Sequence, residues 1–188
     1  MNIKDIIWKI KFYRANAYKT AEMMSTKFYH CGSNVQLYTK SFGTEPYLIS
    51  IGNNVTCASN VRFINHDVSC FNIARYLGLP EGSLDKVGPI TLHDNCFICA
   101  ETMLMPGCSV GRNSVIAARS VVTKQVPDNE VWGGVPAHYI MNVAEYAERI
   151  KIKACEYPWV DKDTAHKKRI SEDELIKARQ KFFFENIY

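Results

Sequence analysis

The chain has 188 residues, of which 47% are hydrophobic and 22% are charged. It is therefore long enough for one domain with a buried core and at most a small appendage. Its longest apolar runs fall far short of the ~20 residues of a transmembrane helix, and a net charge of +4 is too small to indicate a nucleic-acid-binding protein.

The first predicted element is a helix within residues 1–30, in the segment NIKDIIWKIKFYRANAYKTAEMM. Residues 1–30 contain six Lys or Arg and two Asp or Glu, so this segment accounts for the net positive charge. We expect its apolar face to cap the open end of the domain that follows. Contact of its basic face with a membrane surface is the less favoured alternative. The residues of the apolar face are Ile3, Ile6, Ile7, Ile10, Tyr13 and Ala17.

A six-residue repeat organises the centre of the chain. From residue 92 the sequence divides into LHDNCF, ICAETM, LMPGCS, VGRNSV, IAARSV and VTKQVP, with an aliphatic first position and a small fifth position. A helix or simple strand alternation does not produce a strict period of six. The repeat predicts short strands and tight turns, with three repeats in each triangular coil of about 18 residues. The residues predicted to point inward are Leu92, Ile98, Leu104, Val110, Ile116 and Val122.

The same phase continues upstream less regularly, with a slip of two residues near Gly43–Glu45. A longer interruption follows, because residues 69–89 (SCFNIARYLGLPEGSLDKVGP) do not fit the six-residue period. A compact domain rarely carries an excursion of ~20 residues without a functional use. This loop begins directly after the segment FINHDVS, so Asn65, His66 and Asp67 lie where the stacked coils are interrupted. The structural alternative is a solvated or capping histidine.

Residues 141–188 are predicted to form a helical extension. Ser171 to Glu174 resembles a capping box, which would open a final helix over SEDELIKARQKFFFENI. The apolar FFF within this segment is expected to pack against the stacked coils or against another subunit.

The seven cysteines are interpreted as reduced thiols. They are odd in number and do not have the spacing of a disulfide framework, and no secretory signal is evident, so we expect a cytoplasmic protein. Cys96 and Cys99 form a CxxC motif with His93 three residues before it. Cys96 falls on the small inward position of the repeat, however, and a zinc site needs four convergent ligands. We therefore predict a core thiol and no metal.

The repeat, together with the run NSVIAARSVVTKQVPDNEVWGGVPAHYI (113–140), resembles the hexapeptide-repeat acyltransferases. Within that family it is similar to the galactoside, maltose and xenobiotic O-acetyltransferases and to bacterial polysaccharide O-acetyltransferases. The resemblance covers residues 31–140 and implies a mainly β fold, a left-handed parallel β-helix. It also implies a homotrimer with its sites at subunit interfaces.

The activity implied by this resemblance is transfer of an acetyl group from acetyl-CoA to a hydroxyl of a sugar or surface-polysaccharide precursor. His66 corresponds to the family's general base. A sugar hydroxyl has a pKa far above 7, whereas an imidazole has a pKa near 6.5 and can pass the proton on to a departing thiolate. Asp67 and Asn65 are the candidates for orienting the ring of His66.

The resemblance also implies that acetyl-CoA lies in a groove between two subunits. Small residues would let the pantetheine arm approach the backbone, and basic residues would face the phosphates. Arg119 occupies a position that is usually glycine, and His138 replaces the usual basic residue after Pro-Ala, which leaves the phosphate contacts open. The implied cofactor residues are Ala100, Ala118, Arg119, Thr123, Lys124, Pro136, Ala137 and His138, and the implied acceptor residues are Asn60 and Phe97.

Several alternatives remain open. Within the same class they are a xenobiotic O-acetyltransferase and an amino-sugar N-acetyltransferase, and outside it a non-catalytic β-helix scaffold. The zinc-dependent carbonic anhydrases that share this fold need three histidines, two of them five residues apart. Here Gly88 and Ile98 stand at the positions five residues from His93, which argues against metal catalysis.

Overall fold

The computed structural model describes residues 2–185 of the chain. These residues form two compact units, the first ending at Val143 and the second beginning at Ala144. Within the described residues, none of the helices combines the length and the hydrophobicity needed to cross a membrane.

The first unit contains three sheets, which the chain visits in turn. Sheet A pairs β1 (His30–Cys31), β3 (Ile49–Ile51), β6 (Ile90–Leu92), β9 (Ser109–Val110) and β12 (Gln125–Val126). Sheet B pairs β2 (Gln36–Leu37), β4 (Thr56–Cys57), β7 (Phe97–Ile98), β10 (Val115–Ile116), β13 (Glu130–Gly133) and β14 (His138–Asn142). Sheet C pairs β5 (Arg62–Phe63), β8 (Met103–Leu104) and β11 (Val121–Val122).

These sheets form the three walls of a parallel β-helix. The strands pair in parallel from one coil to the next, and only the final pair, β13 with β14, is antiparallel. Each coil therefore has three corners, which we call A–B, B–C and C–A after the strands they join. The topology confirms the prediction of stacked coils with parallel strands.

The repeat determines which side chains fill the interior. Leu92, Ile98 and Leu104 lie on sheets A, B and C in succession, and each is at most 1% exposed. The next three first positions, from Val110 to Val122, are equally buried. The small fifth positions are also buried, because there the chain turns close to the axis of the stack. They are Cys96, Thr102, Cys108, Ser114, Ser120 and Val126.

A column of asparagines runs along the A–B corner. Each has a φ between 54° and 62°, in the left-handed region that asparagine tolerates better than most residues. The side-chain amide of each of the first four donates to the amide oxygen of the asparagine on the next coil over 2.8–3.1 Å. Because an amide can both donate and accept, the column forms a continuous ladder. Its members are Asn34, Asn54, Asn95, Asn113 and Asn129.

The N-terminal segment forms two helices, α1 (Ile3–Arg14) and α2 (Ala17–Ser25). The prediction of one continuous helix was therefore wrong at Ala15–Asn16. The side chain of Asn16 accepts a hydrogen bond from the backbone N–H of Lys19 and so begins a new helix.

The face of α1 that packs on the unit also differs from the expected one. Phe12 is buried and stacks on Trp8, and the ring of Phe42 connects Phe12 to Phe63 inside the first coils. The aromatic face of α1 therefore contacts the core. Of the face predicted from the sequence, Ala17 is buried in α2, whereas the side chains of Ile3, Ile6, Ile7, Ile10 and Tyr13 are exposed.

The second unit contains most of α4 (Val143–Cys155) and all of α5 (Glu172–Gln180). The predicted capping box is present, because Ser171 and Glu174 exchange hydrogen bonds of 2.9 Å and 3.3 Å at the start of α5. After Gln180 the chain continues as a π-helical turn at Lys181–Glu185. The end of the predicted final helix, residues 186–187, lies outside the described residues.

The FFF segment packs within its own unit. The ring centroid of Phe182 lies 5.5 Å from that of Tyr157 and 5.6 Å from that of Trp159. Phe183 lies 5.8 Å and 5.9 Å from the same two rings. Phe183 and Phe184 nevertheless remain 43% and 73% exposed, so packing of this segment against the stacked coils or another subunit stays a prediction.

Candidate active site

The excursion loop leaves and re-enters the stack at the C–A corner after β5. Its two ends pair in antiparallel fashion, with His66 opposite Val87. Asp67 N–H donates to the carbonyl of Lys86 over 2.9 Å, and Gly88 N–H donates to the carbonyl of Asn65 over 3.0 Å. The loop contains the short helix α3 (Cys70–Tyr76). His66 is therefore held by paired backbone rather than carried on an unconstrained turn.

The imidazole of His66 lies between two carboxylates. Its Nδ1 is 2.9 Å from Oε1 of Glu45, and its Nε2 is 3.3 Å from Oδ1 of Asp85. The His66 side chain is 21% exposed, whereas that of Asp85, which lies on the loop, is 67% exposed. A neutral ring that donates from Nδ1 to Glu45 carries its lone pair on Nε2 and donates nothing to Asp85, whereas a ring protonated on both nitrogens donates to both carboxylates. The ring is thus partly accessible and oriented.

Glu45 is itself positioned by Asn65, the residue before His66, and by its own neighbour Thr44. The buried side chain of Asn65 donates to the carbonyl of Glu45 over 2.6 Å and accepts from its N–H over 3.3 Å. Thr44 Oγ1 donates to Oε2 of Glu45 over 2.5 Å. This hydrogen bond and then that of His66 lower the pKa of Glu45, although partial burial opposes the shift. Glu45 therefore stays a carboxylate near neutral pH.

Gly43 makes this arrangement sterically feasible. Its φ of +69° lies in the left-handed region, and an added Cβ would collide with the side-chain oxygen of Asn65. Only glycine meets both conditions at this position.

The two residues considered from the sequence for orienting His66 have other partners. The carboxylate of Asp67 accepts from Lys86 Nζ over 2.6 Å and from the N–H of Ser69 over 3.0 Å. These bonds lower the pKa of Asp67 to about 2. Asn65 bonds to the backbone of Glu45, so the carboxylate at the ring is that of Glu45. Sequence reasoning missed Glu45, although the slip in the repeat near Gly43–Glu45 marked the place.

Several residues assigned from the resemblance line the B–C corner. Ala100 and Arg119 are joined by a 3.0 Å backbone hydrogen bond across adjacent coils, with Ala118 beside them. Asn60, Glu101 and Arg119 have φ values of 60°, 61° and 58°, which explains why glycine is usual at the position of Arg119. The guanidinium of Arg119 donates to Glu101 over 2.6 Å. Phe97 lies on the neighbouring sheet B with its side chain exposed.

The remaining assigned residues lie near the last coil. Thr123 and Lys124 are exposed at the C–A corner, with Lys124 Nζ 5.2 Å from the ring centroid of Trp132. Ala137 is buried and donates to the carbonyl of Val121 over 2.9 Å. On either side of it, Pro136 follows a cis peptide bond, and Nδ1 of His138 lies 3.3 Å from the carbonyl of Pro136.

The structure separates these residues into two groups within one chain. His66 lies at the C–A corner and Asn60 at the B–C corner, on opposite edges of sheet C. His66 and the Ala100–Ala118 column therefore lie on different edges of sheet C.

Two of the thiols in the described chain are too buried to react at neutral pH. Within residues 2–185, His, Cys, Asp and Glu form no cluster of three or more that could hold a metal ion. Burial raises the pKa of Cys96 and of Cys108 to about 12, so these thiols are not nucleophiles at neutral pH. The arrangement at His66 remains the candidate for catalysis.

Comparison with known proteins agrees with this architecture. Residues 89–124 match the family model described as bacterial transferase hexapeptide (six repeats). Protein CapG of Staphylococcus aureus is 42% identical over 110 residues, covering 58% of this chain and 62% of that protein. The galactoside O-acetyltransferase of Escherichia coli (strain K12) is 29% identical over 128 residues, covering 62% of this chain and 58% of that enzyme. The chain thus spans about three fifths of the length of these curated relatives.

A solved structure of a galactoside acetyltransferase in complex with coenzyme A superposes with a TM-score of 0.51. It covers 78% of this chain and 82% of that chain at 22% identity, and so supports the likeness of fold. The fold and the interrupted repeat define a parallel β-helix protein built from hexapeptides. Residues 89–124 carry the repeat of the bacterial hexapeptide transferases, and the chain is similar to acetyltransferases of that kind.

Proposed function

We propose that this protein is an O-acetyltransferase that moves an acetyl group from acetyl-CoA to a hydroxyl of a sugar or surface-polysaccharide precursor. The observation that carries the proposal is the imidazole of His66, partly exposed and held by Glu45 over 2.9 Å at the interruption of the stack. The match of residues 89–124 to the hexapeptide transferases supports the same conclusion.

His66 acts as the general base in the proposed reaction. With Nδ1–H bonded to Glu45, Nε2 takes the proton of the acceptor hydroxyl as its oxygen attacks the thioester carbonyl. The tetrahedral intermediate then collapses, the C–S bond breaks, and the imidazolium returns its proton to the thiolate. Glu45 is a positioning residue that also stabilises the imidazolium. Asp85, next to Nε2 on the exposed loop, is placed to accept a hydrogen bond from the acceptor.

The proposed active unit is a homotrimer of left-handed β-helices. The edge separation of His66 from Ala100 and Ala118 supports this assembly, since a neighbouring copy can bring the B–C corner of one chain against the C–A corner of another. Acetyl-CoA would lie between them, along Ala100, Ala118, Thr123 and Lys124. Residues 31–140 would form the acetyltransferase domain, between a helical segment at 1–30 and a helical extension at 141–188.

The reaction is assigned to the cytoplasm. The seven cysteines are all unpaired, as expected in a reducing compartment.

The test is release of free CoA thiol by the purified chain with acetyl-CoA and a panel of sugars, nucleotide sugars and antibiotics. We expect turnover with a saccharide, and a loss of about 100-fold or more in kcat for His66→Ala. Glu45→Gln keeps the shape but weakens the acceptor at Nδ1, so a smaller loss on the order of 10-fold is expected. The buried thiols Cys57, Cys96 and Cys108 should react slowly with the thiol reagent.

His30→Ala is the matched control, because His30 is exposed on β1 and takes no part in the proposed chemistry. Parental turnover in His66→Ala would remove His66 from the mechanism. Turnover with an antibiotic alone would move the assignment to a xenobiotic acetyltransferase, and binding of neither acetyl-CoA nor any acceptor would favour a scaffold.

A further inference from the structure

Helix α1 is apolar on two opposite faces, and the protein covers only one of them. Trp8 and Phe12 stack with ring centroids 4.9 Å apart and face the unit, where Phe12 is buried. Lys27 of the same unit lies 3.8 Å from the Trp8 ring centroid. With about 100° per residue, Trp8 and Phe12 point away from the isoleucines of the same helix. The fold therefore explains one apolar face of α1 and leaves the other unexplained.

The second face is a continuous stripe of large side chains. Ile3, Ile6, Ile7 and Ile10 fall within an arc of about 100° on the helix, and Tyr13 extends it by one turn. Their exposed fractions are 73%, 39%, 47%, 53% and 71%, in chain order. Scattered exposed apolar residues are ordinary, but a contiguous exposed stripe marks an interaction surface. We call these five residues the isoleucine stripe.

Basic residues border the isoleucine stripe. Lys4 and Lys11 lie along one edge of it, Lys9 lies along the other edge, and Arg14 stands at its C-terminal end; all four are exposed. The only acidic residue of α1, Asp5, is bonded to the backbone N–H of Asn2 on the far side of the helix. An apolar stripe between lysines fits the boundary between acyl chains and anionic headgroups.

We propose that α1 docks the protein in the plane of an anionic lipid bilayer, with the isoleucine stripe among the acyl chains and the lysines at the headgroups. The helix has 12 residues and is about 18 Å long, so it lies in the surface rather than crossing it. A second copy of the chain is a poorer occupant, because packing two stripes together would also bring their flanking lysines together. This inference goes beyond the proposed acetyl transfer and does not depend on it.

The test is cosedimentation of the full chain with vesicles of equal parts phosphatidylcholine and phosphatidylglycerol, alongside vesicles of phosphatidylcholine alone. We expect binding to the anionic vesicles, weakening as salt is raised. Ile7→Ser/Ile10→Ser should lower the partition coefficient at least about tenfold. Lys4→Glu/Lys11→Glu should lower it on the anionic vesicles by a similar factor.

The matched control is Ile150→Ser/Ile152→Ser, which removes two isoleucines of similar exposure from α4 and should bind vesicles as the parent does. Circular dichroism and light scattering accompany each variant. Three outcomes would overturn the proposal: equal binding to both vesicle types, parental binding by Ile7→Ser/Ile10→Ser, or a changed oligomeric mass in that variant. The last would assign the stripe to a contact between copies.

Discussion

Asp67 and Lys86 are the side chains that join the two ends of the excursion loop. Lys86 Nζ donates to the Asp67 carboxylate over 2.6 Å, one residue beyond the paired His66 and Val87. The Lys86 side chain is 61% exposed and that of Asp67 is 27% exposed, so solvent screening keeps the contribution of the pair to global stability small. Its effect should appear in the titration of the carboxyl and in the pairing of the loop ends beside His66.

We expect Lys86→Met to raise the pKa of Asp67 from about 2 toward its ordinary value of 3.8. Because the folded-state pKa is the lower one, the pair stabilises the protein above about pH 4, and this contribution disappears as the pH falls from 3.8 to about 2. The measurements are NMR titration of the Asp67 carboxyl and unfolding free energies across this range. The stability difference between parent and variant should narrow in acid.

Lys19→Met, which removes a 2.6 Å pair with Glu22 on α2, serves as the control for this effect. An Asp67 pKa that stays near 2 in Lys86→Met would show that the Ser69 N–H alone sets it.

For single residues, prediction from the sequence succeeded at the positions that the six-residue repeat determines. The six-residue phase identified the buried positions, and its interruption pointed to Asn65, His66 and Asp67. It could not identify Glu45, because this contact joins residues 21 apart on consecutive coils across an irregular corner. Which residue contacts His66 depends on the backbone conformation near Gly43–Glu45, where the repeat slips by two residues. The repeat does not determine that conformation.

At the scale of elements, the asparagine ladder links one corner of every coil in the stack. Asn95 in its middle accepts from Asn54 over 3.0 Å and donates to Asn113 over 3.1 Å. Asn34 at its end makes only one ladder bond, of 2.9 Å. Both residues have left-handed backbones, with φ values of 60° and 54°. They therefore form a matched pair that differs by one hydrogen bond.

We expect Asn95→Ala to lower the free energy of unfolding by about 2–5 kcal/mol, of which about 1–3 kcal/mol comes from two lost bonds and about 1–2 kcal/mol from a left-handed alanine. Asn34→Ala carries the same backbone cost and should lose about 0.5–1.5 kcal/mol less. Chemical denaturation checks the difference. Asn95→Gly also loses both ladder bonds but carries no backbone strain. Its free energy of unfolding should therefore lie between those of the parent and Asn95→Ala. Equal losses for Asn34→Ala and Asn95→Ala would mean that the ladder bonds add nothing measurable.

In helix α1, the helical periodicity of the sequence predicts the helix but not the face that packs on the first unit. The helical pattern of residues 3–14 was read correctly, but α1 has one apolar face of isoleucines and another of aromatics. Sequence cannot say which face meets the protein, because the choice depends on Phe42 and Phe63 being within reach. The break at Asn16 was readable in principle, since asparagine is a strong N-cap residue.

At the scale of the whole molecule, the proposed trimer makes a prediction about complementation. His66→Ala removes the proposed base, and Ala118→Trp fills the proposed groove at the B–C corner of the same chain. Each variant alone should be inactive. In randomly mixed trimers, an interface is intact when an Ala118→Trp chain supplies the base and a His66→Ala chain supplies the groove. Activity should therefore return to about one quarter of the parental level.

The measurement is thiol release after co-expression or co-refolding of the two variants, with light scattering to verify the trimer. Each variant refolded alone is the control for activity restored by refolding itself. No recovery from verified mixed trimers would mean that each chain carries a complete site of its own.

Helices α1 and α2 cover the end of the first unit where β1 and β2 lie, and this covering should limit self-association at high protein concentration. β1 and β2 pair on one side only, with β3 and β4, so their outer backbone groups could template added strands from another chain. Helix α2 packs against both of these strands, and α1 closes over the Phe42 ring beside them. A stack terminated in this way cannot lengthen by end-to-end addition, which keeps a repetitive architecture from growing into a fibre.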